Sequence, residues 1–143
     1  MPEADVDHIY NYPKGYIEDI LKSVKTIAMG GASGDKTKFS YGVLRVLHET
    51  GYEMLPVNPN PNIKEIRGLK VFRSLKQIDK RVDMVQVFRR KEELLSVAKE
   101  AIEIKAKVLW GQIGVYDDEA AETAKKAGLK VVMNRCPKIE LFR

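Results

Sequence analysis

Apolar residues in this chain gather in short unbroken runs. Five such runs stand out: Thr26–Gly30, Glu53–Val57, and residues 83–88, 107–110 and 130–133. They lack the in–out alternation of a half-exposed strand and are typical of strands covered by helices on both faces. The pattern therefore predicts a parallel sheet inside the molecule.

Stretches of helical spacing separate these runs. Between residues 94 and 102, apolar side chains recur on one helical face: Leu94, Leu95, Ala98, Ala101 and Ile102. Gly51 and Gly128 stand where two helical patterns end, a position that favours glycine. Alternating strands and helices predict an α/β fold, a Rossmann-like doubly wound parallel sheet of about five strands. Right-handed crossovers lead us to expect the strand order 3-2-1-4-5.

The ends of the chain complete a single predicted domain, residues 1–143. A length of 143 residues is enough for one buried core. Residues 1–24 are interpreted as an N-terminal extension and a leading helix over 16–24, and "LKVF" at 69–72 as a short edge strand.

Composition and charge narrow the function classes. No apolar run approaches the roughly 20 residues of a membrane span, so we expect no membrane partner. The net charge of +5 suits a small polyanion such as a nucleotide. Aromatic residues do not alternate with the scattered basic ones as on an RNA-binding surface, so no nucleic-acid partner is expected.

Cysteine and histidine are too sparse to build a metal site. Cys136 is the only cysteine, and His8 and His48 lie far apart in sequence. The N-terminal stretch "MPEADVDHIYNYPKG" does not resemble a secretory signal. Together these features predict a protein of the reducing cytoplasm.

A glycine-rich turn, "GGASGDKTKFS", follows the first predicted strand. In open α/β sheets the ligand lies beyond the carboxyl ends of the strands, and the N–H groups of a following helix can hold a phosphate. Ser40 is the predicted N-cap of that helix. The pattern by itself fits an ordinary turn equally well.

Two familiar nucleotide fingerprints are not met. Gly30, Gly31 and Gly34 do not have the G-x-G-x-x-G spacing, and Lys36-Thr37 follows Asp35 rather than the glycine of a P-loop. An NAD site also needs an acidic residue after the second strand to bind the ribose 2′-hydroxyl, and this chain has Asn58-Pro59 there. NAD is therefore disfavoured.

These motifs resemble a known family in combination. "GGASG", "VNP", "VFRR", "WGQIG" and "NRCP" follow the five predicted strands in turn. Over roughly residues 20–140 the chain resembles the small, single-domain coenzyme A-binding proteins, which are similar to the coenzyme A-binding domain of the succinyl-CoA synthetase α subunit. The resemblance implies a Rossmann-like sheet whose ligand is coenzyme A.

The resemblance also implies a set of ligand-binding residues at the strand ends. The glycine turn would offer N–H groups and a hydroxyl to the pyrophosphate, Lys38 and the arginine pair would meet phosphates, and Asn58-Pro59 would floor the adenosine. The expected contacts are Gly31, Ala32, Ser33, Lys38, Ser40, Tyr41, Asn58, Pro59, Phe88, Arg89, Arg90, Gln112, Arg135 and Cys136. Tyr41 and Phe88 fit the core equally well, either arginine fits a solvated surface, and Trp110 is predicted to be core.

No catalytic pair is readable in the sequence. "DDE" at 117–119 is interpreted as a helix cap, and neither histidine matches the phosphohistidine context of the synthetase. The first hypothesis is thus a non-catalytic binder of coenzyme A or acyl-CoA, not an enzyme. The second is a coenzyme A-dependent enzyme or subunit whose catalytic groups come from a partner chain, and a weaker third is a redox-sensing nucleotide binder.

Cys136 leaves two interpretations open. A cysteine at such a position is usually a small buried hydrophobe and would be a wall contact of the pantetheine arm. Arg135 beside it can favour the thiolate, so that Cys136 forms a mixed disulfide with the coenzyme A thiol under oxidising conditions.

Overall fold

The central sheet has five parallel strands in the computed structural model, which describes residues 11–142. The elements follow in the order α1 (Lys14–Ser23), β1 (Thr26–Gly30), α2 (Phe39–Thr50), β2 (Glu53–Val57), β3 (Glu65–Ile66), β4 (Leu69–Lys70), β5 (Met84–Val87), α3 (Leu94–Glu103), β6 (Val108–Gly111), α4 (Asp118–Lys126), β7 (Lys130–Val132) and α5 (Pro137–Leu141). Short β3 and β4 form a separate antiparallel pair. The α/β, Rossmann-like prediction is confirmed, and each predicted strand is found within two residues of its expected ends.

The predicted strand order is wrong. The observed order is β2-β1-β5-β6-β7, so the third main strand, β5, lies beside β1 and not outside β2. The segment after β4 covers the outer edge of β2 instead: Phe72 N–H donates to the Pro56 carbonyl at 2.9 Å, and Asn58 N–H donates to the Phe72 carbonyl at 2.9 Å. The short edge strand expected at 69–72 is thus present in part, as β4 at Leu69–Lys70 and as the single parallel bridge between Phe72 and Val57.

The observed strand order also changes the position of the topological switch point. At this point successive strands stop being added on one side of the first strand and begin on its other side. In the expected order that point lies between the first and fourth main strands; in the observed order it lies between β1 and β5. Ligands of doubly wound sheets bind at this switch point. The segment after β5, "FRR", thereby becomes central to any site, and the segment after β6 becomes peripheral.

Two apolar layers cover the faces of the sheet. Helices α3 and α4 pack on one face, around Val85, Leu109 and Ala98. Helices α1, α2 and α5 pack on the other, around Met29, Leu44 and Trp110. Trp110 is fully buried, as predicted, and its Nε1 donates to the Arg135 carbonyl at 2.8 Å.

The helix ends follow local sequence. Gly51 takes a φ of +115° at the end of α2, and Asp117 caps α4 by accepting a bond from Ala120 N–H at 2.8 Å. The leading helix is present as α1. Residues 1–10 of the predicted N-terminal extension, with His8, lie outside the described residues. Among residues 11–142 we find no helix with the length and apolarity that crossing a bilayer requires.

Candidate functional site

A cavity of about 450 Å³ lies at the switch point, beyond the carboxyl ends of β1, β2 and β5. Its walls come from the turns after β1 and β2, the segment after β4, the segment after β5 and one face of α3. The lining residues are Gly30, Gly31, Val57, Asn58, Pro59, Arg73, Ser74, Leu75, Phe88, Arg89, Arg90, Glu93, Val97 and Glu100.

Gly31 joins β1 to this cavity and has no room for a side chain. Its φ is +81°, and an added Cβ would collide with the Phe88 carbonyl group and approach Arg89 Cγ to 3.2 Å. The N–H groups of Gly31 and Ala32 both donate to the Val57 carbonyl at 3.2 Å. In the structure these two N–H groups extend the β1–β2 ladder, and their contact with a pyrophosphate stays a prediction.

Residues 34–39 of the glycine turn are exposed, and Asp35 holds this part of the turn together. The carboxylate accepts bonds from the Thr37 hydroxyl at 2.7 Å and the Thr37 N–H at 2.9 Å, while Asp35 N–H donates to Ser33 Oγ at 3.0 Å. The two Thr37 bonds, with a smaller contribution from the charge of Lys38, outweigh slight desolvation and lower the pKa of Asp35.

The turn delivers the chain into α2 two residues earlier than predicted. Lys38, with φ −84° and ψ 145°, is the N-cap, so the assignment of Ser40 as the cap is wrong. Ser40 instead lies in the first turn of the helix and is buried, whereas Phe39 beside it is 88% exposed. Lys38 is exposed next to the free N–H groups of the helix start.

Asn58 ties the end of β2 to the glycine turn. Its Nδ2 donates to the Ala32 carbonyl at 2.8 Å, and its Oδ1 accepts from Asn60 N–H at 2.8 Å. Asn58 and Pro59 thus form one wall of the cavity without a carboxylate.

Arg89 and Arg90 form the opposite wall, together with Glu93. The Glu93 carboxylate bonds Arg89 Nη2 through Oε1 and lies 3.5 Å from Arg90 Nε through Oε2. Partial burial raises the pKa of Glu93, but the bonds and charges of the two guanidinium groups outweigh this and hold the pKa below its ordinary value.

A second group of predicted residues lies away from the cavity, toward the face of the sheet covered by α2 and α5. Tyr41 packs against that core layer, and Cys136 is only 6% exposed within it. Arg135 lies over the Tyr12 ring, 5.3 Å from its centroid, and 3.9 Å from a Glu140 oxygen. These partners hold the Arg135 side chain.

Gln112 belongs to this group, and it is hydrogen-bonded to Gln86, a buried polar residue that sequence reasoning missed. Its Oε1 accepts from Nε2 of Gln86 at 2.9 Å, across β5 and β6. Gln86 is fully buried, and within the described chain its Oε1 has no hydrogen-bond partner. A lone amide inside the apolar run 83–88 was the available signal.

The structure thus divides the predicted ligand-binding residues. The cavity brings together Gly31, Asn58, Pro59, Phe88, Arg89 and Arg90. Outside it lie Ala32, Ser33, Lys38, Ser40, Tyr41, Gln112, Arg135 and Cys136. Sequence reasoning also missed Arg73, Glu93 and Glu100; Glu93 is the residue before α3, and Glu100 lies within that helix.

A doubly wound sheet with a cavity at its switch point is the usual arrangement of a ligand-binding α/β domain. The chain belongs to the CoA binding domain family, whose model matches residues 25–141. It is 41% identical over 129 residues to the uncharacterized protein YneT of Bacillus subtilis, covering 90% of this chain and 94% of that one.

Two further relatives place the family in context. A hypothetical protein from Pyrococcus horikoshii has a TM-score of 0.89 at 33% identity, over 97% of this chain and 96% of that one. The α subunit of the ADP-forming acetate–CoA ligase I of Pyrococcus furiosus is 29% identical over 128 residues. That match spans 80% of this chain but only 28% of the ligase subunit.

Proposed function

We propose that this protein binds coenzyme A or an acyl-CoA without catalysing a reaction, with the nucleotide part of the ligand in the switch-point cavity. The observation that carries the proposal is this cavity of about 450 Å³, in a chain whose family model matches residues 25–141. Its volume falls within the roughly 300–1,000 Å³ of small-molecule sites and suits the nucleotide portion of the ligand.

The charges support a particular orientation. Arg89 and Arg90 face the cavity from one side, and Lys38 stands at the start of α2, so the diphosphate would lie between them. Asn58 and Pro59 would contact the adenosine from below, at the base of the cavity. The neutral end of β2 tolerates a phosphorylated ribose better than the carboxylate of an NAD site would.

The pantetheine arm would then extend toward the group formed by Tyr41, Gln112 and Cys136. Burial of Cys136 supports a wall contact rather than the mixed disulfide with the ligand thiol.

The cavity lining supports a role in binding rather than catalysis. Of the described residues that line it, none is histidine, cysteine or lysine, and of its two carboxylates that of Glu93 is bonded to the arginine pair. A nucleophile needs a base or another activating group beside it.

Calorimetry with coenzyme A, acetyl-CoA and NAD tests the proposal on the isolated protein. We expect both coenzyme A compounds to bind more tightly than NAD, and native mass spectrometry to show one ligand per chain. Equal affinities, or tighter binding of NAD, would contradict the proposal.

The similarity to an acetate–CoA ligase subunit favours one second candidate, a coenzyme A-dependent enzyme that needs a partner chain. We expect the isolated protein neither to hydrolyse acetyl-CoA nor to form ATP from acetyl-CoA, ADP and phosphate. Turnover that appears only when the remaining segments of the Pyrococcus furiosus ligase are added would favour the second candidate.

A further inference from the structure

The cavity that we assign to an anionic ligand already holds an anion of the protein. Its charged side chains are Arg73, Arg89, Arg90, Glu93 and Glu100. One carboxylate, that of Glu93, contacts both Arg89 and Arg90, one through each oxygen. A phosphate would use the same two guanidinium groups with the same kind of charge-assisted bonds.

No other arginine of the cavity offers an equivalent anchor. Arg73 donates from Nη1 to the Ile63 carbonyl at 2.9 Å and from Nη2 to the Pro61 carbonyl at 3.0 Å, so its guanidinium holds the loop after β2. Glu100, about two turns after Glu93 on α3, adds negative charge to the far end of the cavity. An anion that enters the cavity must therefore compete for Arg89 and Arg90.

We propose that Glu93 is an internal competitor of the ligand phosphate and thereby sets the charge that a ligand must carry. This inference rests on the proposed location of the ligand. Glu93 holds the two guanidinium groups in the free protein and releases them when a phosphate or pyrophosphate binds.

The competition discriminates by charge. A carboxylate ligand would form with the arginines about the same interactions that Glu93 gives up, so the exchange would bring little net free energy. It would also be repelled by the displaced Glu93 carboxylate. A phosphate carries up to two charges and three acceptor oxygens, so it gains more than the exchange costs. The two arginines then select phosphorylated ligands instead of binding any small acid.

The position of Glu93 beside the start of α3 supports this role over a purely structural one. Glu93 is the residue before α3, and its side chain makes no capping bond to the helix. Its side chain is 31% exposed, against 81% for Arg90, so the carboxylate is within reach of solvent and of an incoming anion.

Inorganic pyrophosphate is the probe that tests Glu93 apart from the whole ligand. We expect Glu93→Gln to bind pyrophosphate about fivefold more tightly than the wild type, since an exposed ion pair is worth up to about 1 kcal/mol. The Glu100→Gln variant removes the same charge from the same cavity and the same helix, but from a residue without a bond to either arginine. We expect it to change the affinity less than twofold.

A carboxylate ligand gives the second readout. Malonate, a dicarboxylate, should bind the wild type more weakly than pyrophosphate does, and Glu93→Gln should tighten the binding of both, because both displace the same carboxylate. If Glu93→Gln and Glu100→Gln tightened pyrophosphate binding equally, Glu93 would act only through its charge and not as a competitor for the arginines, and the proposal would fail. Unchanged or weaker binding in Glu93→Gln would also overturn it.

The outcome is separable from that of the proposed function. If coenzyme A binds the wild type and Glu93→Gln changes nothing, the competitor role fails and the function stands. If pyrophosphate binding tightens as expected but coenzyme A does not bind, the function fails and the competitor role stands. Thermal unfolding of each variant identifies any loss of affinity that comes from misfolding.

Discussion

The carbonyl group of Phe88 occupies the space that a Cβ atom on Gly31 would need. This contact joins the turn after β1 to the segment after β5, the two strands that flank the switch point. The chain can approach so closely because Gly31 takes a φ of +81°, which costs glycine little. The glycine turn and the arginine pair can thus lie this close together only because residue 31 is a glycine and has no Cβ atom.

Gly31→Ala is therefore expected to destabilise the fold by about 2–4 kcal/mol, from left-handed strain and from overlap with backbone. Gly34→Ala, in the same turn, is the matched control, because its Cβ would meet only Ile66 Cγ1 at 3.9 Å. Urea unfolding measures both. Equal stability of the two variants would show that the turn can move away from Phe88.

The buried pair Gln86 and Gln112 predicts a non-additive result. Gln86→Met should cost about 1 kcal/mol, because it leaves Gln112 Oε1 without its donor. The double variant, with methionine at both positions, should recover most of this loss, since replacing both partners of a buried hydrogen bond can be nearly neutral. A double-mutant cycle by urea unfolding measures the coupling; purely additive losses would contradict it.

The strands were predictable because their apolar runs are short, unbroken and bounded by turn residues. Their order was not, because it depends on the connection between β2 and β5, which contains no long amphipathic helix. A single bridge at Phe72, within the edge strand predicted at 69–72, covers the edge of β2, but its pairing with Val57 is a tertiary contact that the sequence does not show.

The same contrast holds for the site. Asn58 and Arg89 were accessible to prediction because each follows a strand, and parallel strands end at one edge of a sheet. Glu93 was not, because an acid before a helix is equally typical of a helix N-terminus. The use of the Gly31 and Ala32 N–H groups by Val57 is a tertiary contact that local sequence does not show.

Tyr16 protects the outer edge of β7. Its hydroxyl accepts a bond from Val131 N–H at 3.0 Å and donates to the Val131 carbonyl at 2.9 Å. Tyr16→Phe leaves both groups without this partner, so we expect a loss of about 1–2 kcal/mol in unfolding free energy and faster hydrogen exchange at Val131. Tyr52→Phe removes a bond to the Leu21 carbonyl near the other end of α1 but leaves the bonds to Val131 intact, so exchange at Val131 should be unchanged.

The pH response of the glycine turn follows from Asp35. Its pKa is lowered chiefly by the Thr37 hydroxyl and N–H, so the bonds to the carboxylate are present above the ordinary aspartate pKa and are lost as the pH falls through the lowered value. NMR titration should show this low pKa, and Thr37→Val should raise it. An unchanged pKa in Thr37→Val would contradict the assignment of the hydroxyl as the main cause.

The last prediction concerns the cations of the proposed phosphate site. Lys38→Ala and Arg90→Ala should each weaken coenzyme A binding by on the order of 1–3 kcal/mol, because ligand binding would remove water from a charge-assisted bond. Lys99→Ala removes the same charge from an exposed position on α3 that does not line the cavity, and it should leave the affinity unchanged. Calorimetry at two salt concentrations measures all three, since screening by salt should weaken wild-type binding more than that of the two site variants. Unchanged affinity in both Lys38→Ala and Arg90→Ala would move the phosphates of the ligand away from the switch point.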